Sequence, residues 1–320
     1  MDTEGYRQFL QGRKITKDKL ESFISIANKF EGLLQGRTPD SSDVESFAMM
    51  LIREGLNTWD HFIALARYGQ FLGNTEVYRE AIALLDGSEA LDNLHERLGA
   101  LVGEQKRDEI LAGIDLPPLG LPTSAKPRVL QAVMERLEAL LDAETCDKLL
   151  SSSLRTLDDG GYLEDKNKYQ ACASLDEFLV KRGLEFIAHL EQLKREGHLF
   201  FTQEVTDDVI AFVRGNPLIS QGVREGNILY EIKIPYMTKE YLAATDERLK
   251  RYYYCHCPWV RESIKNGDVR VSPRFCQCSA GFVKKPWEVI LGQPLKAHVV
   301  ESVLTGDLWC KIAIHLPDGV

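Results

Sequence analysis

The stretch NILYEIKIP, Asn227 to Pro235, is where the chain stops reading as helix. Ile228, Tyr230, Ile232 and Ile234 alternate with Leu229, Glu231 and Lys233, the two-residue period of a strand. Further on, KAHVVESVL and LWCKIAIHLP flank the turn residues TGD. They predict an antiparallel hairpin with Leu308, Cys310, Ile312, Ile314 and Leu316 on one face.

Upstream the period is helical. TKDKLESFISIANKFEGLLQG places Leu20, Phe23, Ile24, Ala27, Phe30 and Leu34 three and four residues apart, one apolar stripe of a helix. The segments opening at Ser41, Thr58, Asn74 and Ser88 repeat that grammar, each with a polar cap, an apolar stripe and a closing glycine. Together they predict a helical bundle, because no fixed-period repeat supports a solenoid. GIDLPPLGLPTSAKP then sets four prolines among glycines and small residues, a natural break between domains. Beyond it, further helices are expected over 128–150 and from Leu175 to Glu196. The expectation is thus a helical domain over 1–115, followed by an α+β domain over 124–320 with a mostly antiparallel sheet.

Composition narrows the function. The 320 residues carry a net charge of −9, which argues against nucleic acid as a partner. No apolar run approaches membrane-spanning length, so no membrane partner is expected either. The opening residues lack a secretory pattern, and a cytoplasmic address follows as an expectation. The helical domain is the surface on which a protein partner or a second copy would be sought.

The chemistry concentrates in YYYCHCPWVRESIKNGDVRVSPRFCQCSAGF, Tyr252 to Phe282, which holds two Cys-x-Cys pairs out of seven cysteines in the chain. In a reducing compartment grouped cysteines point to metal ligation or thiol chemistry more than to disulfides. Three readings stand side by side. In the first, Cys255, Cys257, Cys276 and Cys278 are a four-sulfur site for zinc, with an iron–sulfur cluster the less favoured occupant. The tight one-residue spacer then requires a turn at each pair, which Pro258 and the SAG segment would supply.

In the second reading Cys257 and Cys278 are catalytic thiols. Pro258 would open a helix with Cys257 near its N-cap, where backbone amides and the helix dipole favour thiolate. His256 would point away from its neighbours on an extended backbone, leaving His298 and His315 of the hairpin as the imidazoles within reach. Eight Lys and Arg between Lys250 and Glu288 face three acids, so the segment is locally basic. Arg261 and Arg274 would hold an anion there and Trp259 would wall an apolar pocket. In the third reading the cysteines are simply small buried residues, as unpaired cysteines often are.

CPW at Cys257, CQCSAGF from Cys276 to Phe282 and ESVLTGDLWCKIAIHLP from Glu301 to Pro317 resemble the L-2-amino-thiazoline-4-carboxylic acid hydrolase family. The same motifs are similar to the related 4-vinyl-reductase-type small-molecule-binding domains. The matching positions are Cys257, Cys276 or Cys278, Gly306 and Cys310. The resemblance implies a bacterial cytoplasmic α+β domain that holds a small molecule and hydrolyses a cyclic carbon–nitrogen bond. It also brings Cys310 towards the two pairs. Where the hydrolases carry an acid after the second cysteine, this chain has Ser279, Ala280 and Gly281.

The functional expectation is a small-molecule-binding protein with a cysteine-centred site for an anionic or carboxylate-bearing ligand, with hydrolase-like or thiol-dependent chemistry. The alternative is a non-catalytic sensor or scaffold built on a structural zinc site.

Overall fold

The structure, a computed structural model, describes residues 1–320 and is α+β: helices first, then a small antiparallel sheet towards the C-terminus. No helix is long and apolar enough to cross a membrane. The chain divides into two compact units, one made of 1–88 and 115–129, the other of 89–114 and 130–320.

The first unit holds helices Thr3–Gly12, Lys17–Leu34, Ser41–Arg53, Trp59–Phe71 and Thr75–Leu85. Their starts follow from local chemistry. Asp40 accepts the amides of Ser42 and Asp43 while Asp43 returns a bond to the Asp40 amide, a reciprocal cap. Thr58 and Asn74 cap the next two helices in one direction only, their side chains accepting the amides of His61 and Val77. The apolar stripe read from the sequence is the buried one, with Phe23, Phe30, Phe47, Phe62 and Tyr68 at its centre.

The proline-rich segment does not separate the units where the sequence suggested. Asp115–Val129 packs into the first unit, and the Ala90–Val102 and Glu104–Ile110 helices belong to the second. Specific contacts explain the return of the segment. Asn57 donates to the Leu119 carbonyl (3.0 Å), Thr123 Oγ1 to Glu80 (2.7 Å) and buried Lys126 to the Ala83 carbonyl (2.6 Å). Gly120 lies so close to the Phe62 ring that a Cβ would meet it at 2.0 Å, and its φ of +84° also favours glycine.

In the second unit the sheet consists of β1 (Val223–Glu225), β2 (Ile228–Ile232), β3 (Lys296–Glu301) and β4 (Lys311–His315), ordered β1-β2-β4-β3 and antiparallel throughout. Leu229 pairs with Ile314 and Glu231 with Ile312. The face bearing Leu229, Ile312 and Ile314 packs on Ala280, Val283 and Trp287 of the Gln277–Leu291 helix, and on Phe178 of the Leu175–Glu196 helix. Of the two alternating sets in NILYEIKIP, the one containing Leu229, Glu231 and Lys233 therefore faces this core, while Ile232 and Ile234 of the other set are buried too, Ile234 among Leu190, Val209 and Val213. Its two charged members are accommodated individually: Glu231 pairs with Arg182 at 2.6 Å, and Lys233 lines a cavity.

The hairpin is looser than the TGD turn suggested. β4 begins only at Lys311, so Leu308 and Cys310 lie in the loop that precedes it. The 128–150 segment is two helices, broken where Asp142 caps the second.

Candidate functional site

Three chain segments bring five of the seven cysteines to one cavity, and no cysteine is in a disulfide. Cys255 leaves the end of the Glu247–Tyr254 helix, where its amide still bonds to Arg251 O. Extended backbone follows, tied to its neighbour because Met237 N donates to Tyr253 O and His256 Nε2–H donates to Ile234 O at 2.6 Å. Cys276 caps the Gln277–Leu291 helix and Cys278 stands in its first turn. Cys310 enters from the loop before β4, and its carbonyl accepts from Tyr254 Oη at 3.2 Å.

The remaining wall is mostly apolar, with Trp259, Phe275, Phe282 and Ile312 among its residues, and the space inside is about 60 Å³. At 10–15 Å³ for one water, that admits roughly four to six water-sized groups. Two cations line it. Arg155 pairs with Glu89 at 3.1 Å and lies 5.7 Å from the Phe282 ring centre, while Lys233 Nζ lies 4.3 Å from the same centre.

One glycine seats the helix that carries the second pair. A Cβ on Gly281 would stand 2.8 Å from Ser151 O and from Ser153 N, so the helix can approach the 151–153 turn only with glycine there. Ser153 Oγ then donates to the Gly281 carbonyl at 3.0 Å. The SAG segment, expected as a turn, is helix, and its small residues serve close packing.

Burial dominates the electrostatics. It pushes the thiols of Cys255, Cys276 and Cys310 above their ordinary range, and that of Cys278 up to about 12. Neighbouring thiols raise Cys255, Cys276 and Cys278 further, whereas Arg155 and Lys233 pull Cys278 back without overcoming burial. These four are protonated thiols at neutral pH. Cys276 Sγ additionally accepts from Ser302 Oγ at 3.2 Å. Burial, with Lys233 second, lowers His256 to about 3. Its ring is neutral, with the proton held on Nε2 by Ile234 O and the Nδ1 lone pair left as acceptor.

Several site expectations are placed differently. Cys257 is not at a helix N-cap: its carbonyl closes a turn with Val260 N and Arg261 N, and the helix that follows, Arg261–Asn266, is capped at Val260. His256, expected to point away, lines the cavity as well, its ring bonded to Ile234 O. His298 and His315 lie on the other face of the sheet and bond each other at 3.0 Å. Arg274 is committed to Asp147 (2.8 Å) and Glu138 (3.4 Å) away from the cavity. Arg261 is buried against the rings of Tyr236 and Tyr252. Trp259, Cys255, Cys257, Cys276 and Cys278 are on the cavity as expected, joined by Cys310.

The cavity cations Arg155 and Lys233 were not singled out from sequence. For Lys233 a signal existed: a lysine between Ile232 and Ile234 shares its strand face with Leu229. Arg155 follows a serine run with nothing to mark it. No group of three or more His, Cys, Asp or Glu side chains is arranged ready to hold a metal ion. Comparison with protein-family models, with curated proteins and with solved structures found no match.

Proposed function

We propose that this protein binds a small molecule carrying an anionic group, a carboxylate above all, in the thiol-lined cavity. Arg155 and Lys233 hold the charged end, and Trp259, Phe275 and Phe282 enclose the apolar remainder. The observation that carries this reading is the convergence of five thiols and two cations on one largely apolar, partly enclosed space. Two cations on a mostly apolar wall favour a ligand whose charged end is anionic, held by charge-assisted hydrogen bonds. The chemistry open to the site is thiol attack on an electrophilic carbon of the bound molecule. The resemblance to the thiazoline-carboxylate hydrolases adds hydrolysis of a cyclic carbon–nitrogen bond as the reaction class.

The test is thermal unfolding in a series of small carboxylates, each matched with its neutral amide. A ligand that binds only the folded state raises the unfolding midpoint with concentration. Carboxylates should raise it, amides should not, and Lys233→Met and Arg155→Met should each weaken the effect. Equal shifts for acid and amide, or shifts unchanged in both variants, would overturn the proposal.

A second reading draws on the same convergence. Cys255, Cys257, Cys276 and Cys278 hold zinc, or an iron–sulfur cluster, as a structural centre of a sensor or scaffold. That requires the thiols to turn towards one point and to give up their protons to the ion. About one zinc per chain in protein purified without an affinity tag, with four thiols shielded from titration, would favour it.

A further inference from the structure

We infer that Cys278 is the reacting thiol of the cavity. Its substrate class is a small carboxylate with an electrophilic carbon one bond from the carboxyl group. The inference rests on the small-anion reading above and specifies where in the cavity the anion sits.

The cavity is not uniform. Cys278 and Phe282 are four residues apart on the Gln277–Leu291 helix and so neighbour each other on one face. Both cavity cations lie over the Phe282 ring, Lys233 at 4.3 Å and Arg155 at 5.7 Å, so both stand beside the turn that carries Cys278. The Glu89 pair fixes the Arg155 guanidinium in place. The Cys255 and Cys276 thiols occupy a different part of the wall, where Cys276 bonds Ser302 and the Cys255 thiol is 3.9 Å from the Cys257 carbonyl. A carboxylate seated between Lys233 and Arg155 therefore presents its adjacent carbon to Cys278 before Cys255 and Cys276; both cations act on Cys278, whereas of the two only Lys233 acts on Cys310. With about 60 Å³ available, the molecule can extend only a few atoms further.

The bond changes are simple. The Cys278 thiol first gives its proton to water, the thiolate so formed donates an electron pair to that carbon, and the carbon's leaving group departs with its own bonding pair.

Iodoacetate and iodoacetamide test this directly, because they share size and leaving group and differ in charge. Here the new bond is sulfur to carbon and the leaving group is iodide. Peptide mapping by mass spectrometry after brief labelling of the folded protein should find Cys278 modified about tenfold faster by iodoacetate, the rate ratio of a favourable 1.4 kcal/mol. Lys233→Met should abolish the preference, bringing the iodoacetate rate to that of iodoacetamide in the same variant, and Cys278→Ser should remove the label. Preferential labelling of another cysteine, an absent preference, or a preference that survives in both Lys233→Met and Arg155→Met would overturn the assignment. The carboxylate-dependent thermal shift separates the two levels. If it persists while the label falls elsewhere, only Cys278 is wrong; if it is missing in the wild type, the small-anion reading falls as well.

Discussion

Replacing Gly281 by alanine should destabilise the unit that holds the cavity, against the ordinary trend for helices. Alanine inside a helix normally gains about 1 kcal/mol over glycine. At this position the added Cβ would stand 2.8 Å from both Ser151 O and Ser153 N, and backbone on the facing side cannot swing aside. Overpacking of that kind costs about 1–3 kcal/mol. Lengthening the Ser153 Oγ bond to the Gly281 carbonyl removes about 1 kcal/mol more. The propensity gain and the lost hydrogen bond nearly cancel, leaving a net loss of about 1–3 kcal/mol. At about 2–4 °C per kcal/mol for a unit of this size, the unfolding midpoint falls by several degrees. Calorimetric unfolding measures it, with Gly32→Ala as the control. Gly32 lies within the Lys17–Leu34 helix with nothing within 4 Å of its Cβ position, so that variant should be stabilised by up to about 1 kcal/mol. A Gly281→Ala protein as stable as the wild type would refute the claim that this contact seats the helix bearing Cys276 and Cys278.

Other expectations follow from single residues. Burial holds His256 at about 3 in the folded chain, below the 6.5 of an unperturbed imidazole, so the unfolded state takes up the proton first. The stabilisation is fully present above pH 6.5 and is lost as the pH falls towards 3, at about 1.4 kcal/mol per unit. Denaturant unfolding should show the wild type losing about 2 kcal/mol more than His256→Gln between pH 6.5 and 5; parallel losses would contradict the neutral buried ring. Arg274→Ala should leave carboxylate-dependent thermal shifts unchanged and cost at most about 1 kcal/mol, since its pairs with Asp147 and Glu138 are partly exposed; weakened carboxylate shifts would return Arg274 to the site. Native titration with a bulky aromatic disulfide should modify Cys172 first, because that thiol is partly exposed and outside the cavity; a cavity cysteine reacting sooner would mean the enclosure opens readily.

Much of the fold was legible because it rests on periodicity. The stripe from Leu20 to Leu34 and the alternation in NILYEIKIP are statements about which faces can be buried, and the chain buries along both periods. Which face packs on the helices bearing Phe178 and Trp287 was not legible, since that set contains Glu231 and Lys233, while Ile232 and Ile234 of the other set are buried as well. Only the partner Arg182 and the cavity make that placement tolerable. The division between units was misplaced for a related reason. Prolines 117, 118 and 122 do break secondary structure, but the extended segment then docks through Asn57, Thr123 and Gly120, contacts invisible to local pattern.

At the site, the two Cys-x-Cys pairs, close in sequence, line one cavity. The resemblance brought Cys310 to the same place. The direction of the side chains depended on turns that spacing does not encode. After the Glu247–Tyr254 helix His256 joins the cysteines on the cavity, and the Cys257 carbonyl closes a turn with Val260 and Arg261, so Cys257 does not cap a helix. Arg274 looked available because its partners, Asp147 and Glu138, lie more than a hundred residues earlier.

The most direct test of the small-anion site is a crystal soaked in bromide and measured at the bromine absorption edge. Bromide is a monoanion small enough for a 60 Å³ cavity, and its anomalous signal locates it without ambiguity. The expected result is an ordered bromide among Lys233, Arg155 and the Cys278 thiol, lost in the Lys233→Met protein. Bromide confined to the outer surface, or a metal peak at the sulfurs in its place, would contradict it.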